Sequence, residues 1–411
     1  MSSASITEVE IHIDLGTDNV RAGMAYLAMR RGTLSVTFNY DGEYLARTGS
    51  RAISPDLPLD GGATTTAGLP GAMADSTPDR WGRNLINERI RAAADPGQRG
   101  AIAVGEIDYL LGVADLTRQG DLRFRVAGGP FLQDDADVPK LIELPRLLDA
   151  SNLVAADSAN DDEMAAIKVL LDAGSGSLGG ARPKASVRDG DQLLIAKFPH
   201  PNDAWDVMAW EKTALDLAEA SGIRVPDRRL ETVAGKHVLL LERFDRRGGQ
   251  RLGYVSAMSL LGSKDGDHRD YIELAEVLAA QGSHVDRDLE ELWRRVALSI
   301  VLNNTDDHLR NHGFLYQDRG WSLSPVFDLN PNPDLSSHRS TSINYETESA
   351  KTLSALMAAA AFFGLQAARP DDIWHEVLEA TARWRDVART NGITEGEIGA
   401  FAGVLDALRI S

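Results

Sequence analysis

The chain has no cysteine among its 411 residues. It can therefore form neither disulfides nor thiolate metal sites, an absence that suits a cytoplasmic location. The N-terminal residues lack a basic stretch followed by an apolar core, so we expect no signal peptide. The most apolar run, residues 352–368, is uncharged but rich in Ala, and it is short for a membrane span. It predicts a buried helix and no membrane association.

Positive charge is also scarce. The chain has 43 Lys and Arg residues against 61 Asp and Glu residues, which gives a net charge of −18 and a pI of about 4.9. Such a chain would repel DNA phosphates, so any contact with DNA should be made mainly by a basic partner. The alternative interpretation is that the acidity serves solubility or salt adaptation.

The remaining composition is that of a soluble globular protein, with 43% hydrophobic and 25% charged residues. Apolar and polar residues alternate over residues 9–15 and 34–40, which predicts two half-buried strands. Helical patterns dominate the end of the chain, over residues 371–390 and 394–409. We predict an α+β fold in three parts: an N-terminal β-rich subdomain (residues 1–150), a second subdomain with a sheet (residues 151–245) and a helical C-terminal lobe (residues 246–411).

The most informative motif is an aspartate followed five residues later by an asparagine. Asp306 and Asn311 form this pair, and Asp328 follows seventeen residues later between apolar neighbours. Phosphoryl transfer requires a group that orients the acceptor hydroxyl and side chains that hold metal ions on the phosphates. Asp and Asn are also common in ordinary turns, so the motif alone leaves both interpretations open. A helix with apolar residues at helical spacing, ending near residue 300, precedes it.

A glycine-rich segment, residues 174–180, matches the pattern G-x-G-x-x-G. The residues before it read as a helix, and the residues after it read as a hairpin that turns at Asp189-Gly190-Asp191. A dinucleotide-binding turn would follow a strand and open a helix, and a Walker loop would end in Lys-Ser or Lys-Thr. The kinase arrangement fits this order, and a flexible Gly/Ser linker is the alternative.

Lys197 interrupts the apolar outgoing strand of this hairpin. A phosphate partner would explain an ammonium group there, and a lysine that extends to water from an edge strand is the alternative. A helix over residues 203–221 follows. Glu211 lies beside its apolar stripe and either pairs with Lys197, as in kinases, or is exposed. Residues 239–245 then predict an apolar strand whose end fits a hinge for adenine.

These pieces occur in the order of a kinase chain, and they resemble one family closely. The chain resembles the HipA family of bacterial toxin–antitoxin serine/threonine kinases. Residues of the N-terminal portion, Leu57-Pro58-Leu59 and Pro78 to Asn84, share the resemblance. The longest matching motifs are Ser177 to Ala185, Ile195 to Pro199, Leu241 to Arg246, Asn304 to Asn311 and Leu323 to Asp328.

The resemblance implies a protein-kinase-like, HipA-like fold that uses ATP and Mg²⁺. Residues 151–245 would then be the nucleotide-binding sheet subdomain, with the nucleotide between it and the helical C-terminal lobe. The resemblance implies that Asp306 is the catalytic aspartate, that Asn311 is a magnesium ligand and that Asp328 bridges the metal ions. It further implies that Lys184 and Lys197 hold the nucleotide phosphates and that the backbone of Glu242 and Phe244 holds the adenine. The other nucleotide-binding residues would be Ser177, Gly179 and Gly180.

The resemblance also implies partners and control. Family members phosphorylate a serine of a protein, in the best-known case an aminoacyl-tRNA synthetase, and so arrest translation. A small helix-turn-helix antitoxin is the usual partner, and DNA is contacted mainly through it. Ser177 would be the autophosphorylation site, although Ser175 offers a second hydroxyl in the same segment.

Three other functions stay open at this point. A small-molecule kinase could share the fold, because acceptor specificity is not readable from these motifs. A catalytically silent protein could hold a DNA-binding partner, although Asp306, Asn311 and Asp328 argue against it. A metal hydrolase built on Asp306, Asp307, His308 and His312 is conceivable, but the asparagine and the glycine-rich segment do not fit it.

Overall fold

The computed structural model describes residues 6–30, 32–93, 103–133, 138–156, 161–175, 182–264 and 266–409. The chain divides into two compact units. The first unit contains residues 1–202, 233–236 and 245–255, and the second contains residues 203–232, 237–244 and 256–411. The three-part division at residues 150 and 245 stays a prediction.

The strands, in chain order, are β1 Ile6–Leu15, β2 Asp18–Arg30, β3 Thr33–Tyr40, β4 Thr64–Ala67, β5 Leu122–Val126, β6 Lys184–Asp189, β7 Gln192–Lys197, β8 Arg228–Val233, β9 Lys236–Glu242, β10 Arg246–Arg247, β11 Gln250–Arg251, β12 Tyr254–Ser256, β13 Gly313–Gln317 and β14 Gly320–Leu323. The α-helices are α1 Gly42–Ala46, α2 Gly71–Asp75, α3 Arg80–Ala93, α4 Glu106–Leu111, α5 Leu144–Ala155, α6 Asp161–Asp172, α7 Val207–Ala220, α8 Ala257–Leu260, α9 Tyr271–Gln281, α10 Val285–Val301, α11 Thr352–Ala358, α12 Arg369–Ala380, α13 Trp384–Thr390 and α14 Glu395–Leu405.

The first unit begins with a five-stranded sheet in the order β4-β3-β2-β1-β5. The pairs β1–β2, β2–β3, β3–β4 and β1–β5 are all antiparallel. Val9, Ile11 and Ile13 of β1 are fully buried, as their alternation predicts. Glu10 and His12 on the opposite face are also buried, because Arg125 donates to Glu10 at 2.6 Å and Glu10 lies 3.4 Å from His12. The expectation of a half-exposed strand is therefore wrong for β1.

The rest of the first unit holds a helical cluster and the hairpin. Helices α3, α5 and α6 pack around a core that includes Trp81, Leu85 and Leu170. The predicted hairpin is present as β6–β7, in which Asp189 pairs with Gln192 across a two-residue loop. Gly190 takes a positive φ of 59°, which explains the glycine at this turn.

The second unit is mainly helical and is built around α10. Leu292, Trp293 and Val296 of α10 are fully buried. Helices α9, α11 and α12 and strand β14 contact α10. No helix among the described residues is long and apolar enough to cross a membrane.

Several predicted helices differ from the observed ones. The helix expected over residues 203–221 begins at Val207, because the Asp206 side chain accepts from the Ala209 N–H and caps it. The run 352–368 is not one helix: α11 ends at Ala358 and a short 3₁₀ turn follows to Phe363. The segment 371–390 is broken by a 3₁₀ turn at residues 381–383, and the helix expected over residues 394–409 ends at Leu405 before a further 3₁₀ turn.

Candidate functional site

The turn that carries Asp306 starts where α10 ends. Asn303 leaves the helix with a positive φ of 48°, which Asn tolerates better than most residues. Its side-chain amide donates to the carbonyls of Asn332 at 3.0 Å and Asp334 at 2.9 Å. Arg339, which is buried, donates to the Asn304 carbonyl at 3.2 Å. The start of the turn is therefore fixed to the segment that follows Asp328.

The two ends of the Asp306–Asn311 turn are joined by a contact between two buried side chains. Asp307, next to Asp306, lies 3.0 Å from Nε2 of His312, which is next to Asn311. The Tyr271 hydroxyl donates to the other oxygen of Asp307. Both Asp307 and His312 are buried, with 6% and 2% exposed surface. We infer that this pair sets the separation between Asp306 and Asn311.

The charge of Asp307 is strongly stabilised. Burial alone would raise the pKa of its carboxyl, but the charge and hydrogen bond of His312, the Tyr271 hydroxyl and the Arg339 guanidinium lower the pKa to about 2. In addition, Thr341 donates from Oγ1 to the Asp307 backbone carbonyl at 2.7 Å. The buried Asp307 carboxylate is thus ionised at neutral pH, and its contacts hold the turn in place.

Asp306 has the opposite electrostatics. Desolvation by the surrounding protein is the main cause that raises the pKa of its carboxyl, and the negative charges of Asp328 and Asp307 raise it further, whereas His308 lowers it. The side chain itself is exposed. A carboxyl that is accessible and has a raised pKa is suited to accept a proton from a substrate hydroxyl.

Asn311 is buried and oriented by its own turn. Its Nδ2 donates to the Asp306 carbonyl at 3.2 Å, and its N–H donates to the His308 carbonyl at 2.8 Å. Because Nδ2 is used in this way, Oδ1 is the branch of the amide that remains for a cation. Amide oxygens are ligands that Mg²⁺ accepts.

Asp328 adopts a backbone conformation that is uncommon for a residue with a side chain. Its φ is 59°. The segment before it is tied down, since the Val326 N–H donates to the Arg224 carbonyl at 2.8 Å. Such conformations cost free energy and persist where the surrounding structure imposes them, often at functional sites. The electrostatic effect of Asp328 on Asp306 places the two carboxylates close to one another.

The side chains of Asn311 and Asp328 fit Mg²⁺ that is partly coordinated by substrate phosphates better than a metal ion coordinated entirely by protein side chains. No group of three or more His, Cys, Asp or Glu side chains within the described part of the chain is arranged to hold a metal ion. Mg²⁺ in phosphoryl-transfer enzymes is usually held by one or two carboxylates and the substrate phosphates. Asp328 and the amide oxygen of Asn311 would supply the protein ligands in that scheme.

The predicted adenine-binding residues lie at the end of β9. The Glu242 N–H donates to the Asp227 carbonyl at 2.8 Å, which fixes the backbone at the end of the strand. Burial raises the pKa of the Glu242 carboxyl, and the neighbouring Asp227 raises it further. The ring of Phe244 lies 5.5 Å from that of Phe327, the residue before Asp328. The hinge and the predicted metal-binding segment are therefore in contact.

In the first unit, the two predicted phosphate-binding lysines are direct neighbours. Lys184 of β6 and Lys197 of β7 are partners in the antiparallel register, so their side chains lie on the same face. They are buried, with 2% and 8% exposed surface. Lys184 forms an ion pair with Asp79 at 3.6 Å. The idea that Lys197 extends to water is therefore wrong, and the binding of phosphates by this lysine pair stays a prediction.

The first two residues of the glycine-rich segment have fixed contacts. Ser175 donates from Oγ to the Lys184 carbonyl and is fully buried. Gly174 has a φ of 67°, and a Cβ there would lie 2.4 Å from the Thr117 hydroxyl, so glycine is required. The predicted residues Ser177, Gly179 and Gly180 lie outside the described residues.

Sequence patterns did not reveal the residues that hold the Asp306–Asn311 turn in place. Tyr271, Arg339 and Thr341 contact the catalytic turn from 30 or more residues away in the chain, and no local pattern marks them. Asp307 and His312 were considered only for a metal hydrolase. Their pairing with each other argues against that alternative. Glu211 is buried, so the exposed alternative for it is wrong, and its pairing with Lys197 stays a prediction.

Comparisons with known proteins identify the family of this chain. Residues 176–384 match the HipA-like C-terminal domain, and residues 18–101 match the HipA N-terminal domain. A Haemophilus influenzae protein named "Putative kinase" is 24% identical over 156 residues, which cover 33% of this chain and 46% of that protein. "Putative kinase Y4dM" of Sinorhizobium fredii is 26% identical over 203 residues, covering 42% and 49%. The chain thus spans about half the length of these relatives.

A solved structure matches almost the whole fold. HipA of Shewanella oneidensis, determined in complex with HipB and operator DNA, superimposes with a TM-score of 0.66 at 18% identity. The match covers 97% of this chain and 95% of that one. The predicted α+β, HipA-like fold is confirmed. Because the HipA-like C-terminal domain alone matches just over half of the residues, the chain belongs to the HipA family.

Proposed function

We propose that this protein is an ATP- and Mg²⁺-dependent serine/threonine protein kinase. The observation that carries the proposal is the grouping of Asp306, Asn311 and Asp328 in one unit, with the carboxyl of Asp306 accessible and its pKa raised. In this scheme Asp306 orients the acceptor hydroxyl and takes its proton. Asn311 and Asp328 hold Mg²⁺, which when bound neutralises negative charge on the phosphates.

The nucleotide contacts follow from charge and hydrogen bonding. Lys184 and Lys197 place two positive charges side by side for the phosphates. The carbonyl of Glu242 and the N–H of Phe244 would bind the adenine edge. This assignment would give a role to both lysines at the paired position of the β6–β7 hairpin.

We extend the proposal to a toxin–antitoxin role in the cytoplasm. The Shewanella HipA is in complex with HipB and operator DNA. By analogy, a small helix-turn-helix antitoxin would bind this chain and make most of the DNA contact, since the chain carries a net charge of −18. The phosphorylated protein would be a component of translation, such as an aminoacyl-tRNA synthetase. Growth arrest on expression, relieved by the antitoxin gene, is the expected outcome.

We further propose that Ser177 is the autophosphorylation site. Ser175 is the weaker candidate, because its hydroxyl is buried and donates to the Lys184 carbonyl. A phosphate on Ser177 would add about −1.5 to −2 charges to a segment that starts next to the lysine pair. It would compete with ATP for the same positive charge, so the modified enzyme should be less active.

The test is transfer of label from γ-labelled ATP by the purified full-length chain. Asp328→Asn should abolish labelling and shift the Mg²⁺ dependence of nucleotide binding, because one metal-binding carboxylate is lost. Asp318→Asn makes the same chemical change at an exposed carboxylate of the β13–β14 turn and is the matched control, with labelling close to that of the wild type. Wild-type labelling by Asp328→Asn would contradict the metal-binding role.

A further inference from the structure

A two-residue turn in the second unit carries an aromatic side chain that is exposed to solvent and so contributes little to packing. Ile343 and Glu346 exchange backbone hydrogen bonds of 2.9 and 3.0 Å, and Asn344 and Tyr345 connect them. Both connecting residues have positive φ, 48° and 66°. Turns of this kind favour Asn-Gly, because a Cβ is disfavoured in the left-handed region. The tyrosine is therefore the unexpected residue.

The strain at Tyr345 is not compensated by burial of the ring, since 87% of the residue is exposed. Yet the turn is firmly held. Asp270, only 3% exposed, accepts from the N–H of Asn344 at 3.2 Å and from that of Tyr345 at 2.7 Å, and it also caps α9 through the Ile272 N–H. A rigid turn that presents a bulky ring to solvent is suited to contact another molecule.

The turn is directly connected to the catalytic residues. Thr341, four residues before Tyr345, donates to the Asp307 carbonyl, and the Ser340 N–H donates to the Thr305 carbonyl at 2.9 Å. Asp307 and Thr305 are the two neighbours of Asp306 in the chain. Four extended residues span at most about 14 Å. The Tyr345 ring is thus close enough to contact acceptor residues on either side of a serine or threonine whose hydroxyl lies at Asp306.

The surroundings of the ring are negative. Glu346 is next to it, and the Glu348 side chain is 53% exposed. Lys351 lies 2.7 Å from Glu348 and 4.0 Å from Glu346, so one positive charge offsets two negative ones. The whole chain carries −18. An aromatic face beside carboxylates binds a Lys or Arg side chain through a cation–π contact.

We propose that Tyr345 is a docking residue for the acceptor protein and that it binds an arginine or lysine close to the phosphorylated hydroxyl. This inference rests on the proposed kinase function and names the class of its acceptor. The relevant acceptors are polypeptide segments with a basic residue a few positions from a serine or threonine.

The experiment uses the full-length chain, γ-labelled ATP and a synthetic peptide library with a central serine and Arg, Lys or Ala at each flanking position. The wild type should phosphorylate peptides with a basic residue at a preferred position about threefold to tenfold faster than the Ala peptides. Tyr345→Gly should lose this preference, and Tyr345→Phe should keep it. Autophosphorylation should be equal in all three proteins.

Arg319→Gly is the matched control. Arg319 has a φ of 63° in the β13–β14 turn, so this change relieves similar strain in the same unit and should leave the peptide preference unchanged. The same preference in Tyr345→Gly and the wild type would overturn the proposal, and so would the absence of a basic preference in the wild type. Loss of autophosphorylation or a lowered unfolding midpoint in Tyr345→Gly would overturn it in favour of a structural role. A wild type without autophosphorylation or ATP turnover would instead contradict the kinase function.

Discussion

Two adjacent aspartates should respond in opposite ways to the same substitution. Asp307 is buried, accepts from Tyr271 and pairs with His312, and its pKa falls from an ordinary 3.8 to about 2. At 1.36 kcal/mol per pKa unit, the ionised carboxylate contributes about 2 kcal/mol. Asp307→Asn also weakens the hydrogen bond from the Tyr271 hydroxyl and removes a negative charge near the buried Arg339, and a hydrogen bond to a charged group contributes about 1.5–3 kcal/mol. We expect a loss of unfolding free energy in this range.

Asp306→Asn should not lower stability. The raised pKa of Asp306 means that its charged form is disfavoured in the folded protein, by desolvation first and then by Asp328 and Asp307. An amide removes that cost. Phosphoryl transfer should nevertheless be lost, by roughly 10²–10⁴-fold for a positioned base. The pair of variants thus separates catalysis from stability at neighbouring positions.

The assay is urea unfolding followed by tryptophan fluorescence. Six of the seven tryptophans lie in the second unit, so the signal reports mainly on the unit that contains both aspartates. Asp307→Asn should unfold at lower urea than the wild type, and Asp306→Asn at the same concentration or higher. Equal midpoints for Asp307→Asn and the wild type, or the reverse order of the two variants, would refute the electrostatic assignment.

Three further predictions follow from the same structure. Lys197→Met should weaken ATP binding in calorimetry, because it removes a positive charge that is proposed to contact the phosphates. Unchanged binding and turnover would reduce Lys197 to a strand residue. Ser177→Ala should abolish autophosphorylation in phosphopeptide mapping, whereas Ser175→Ala should retain it, and phosphate found on Ser175 alone would contradict the assignment. The stability that the Asp307 carboxylate provides should be present above about pH 4 and be lost as the pH falls towards 2, which acid unfolding would measure. Turnover should also fall as the pH drops through the raised pKa of Asp306, and a turnover that does not change with pH would argue against Asp306 as a base.

Local patterns predicted much of the fold. The β6–β7 hairpin was readable because alternating residues flank Gly190, and α10 was readable because Leu292 and Val296 recur at helical spacing. Helix interruptions were not readable. The Thr381 hydroxyl donates to the Val377 carbonyl at 2.7 Å near the end of α12, a competition with the backbone that residue periodicity does not reveal.

The candidate site also has residues that the sequence suggested and residues that it did not. Asp306, Asn311 and Asp328 were proposed from their types and spacing, since phosphoryl transfer requires those groups in that order, and their roles stay predictions. Their support was not identified, because the contacts of Tyr271 and Thr341 with Asp307 join distant parts of the chain. The left-handed conformation of Asp328 also depends on tertiary packing, because nothing in the adjacent residues calls for it.

The central claim is that Asp306 promotes transfer of the ATP γ-phosphate to a serine of a polypeptide. The most direct measurement is phosphoamino acid analysis of the full-length chain after incubation with γ-labelled ATP and Mg²⁺. We predict phosphoserine in the wild type and none in Asp306→Asn, with both proteins folded by the urea assay. Equal labelling of the two proteins, or no labelled amino acid in the folded wild type, would contradict the account.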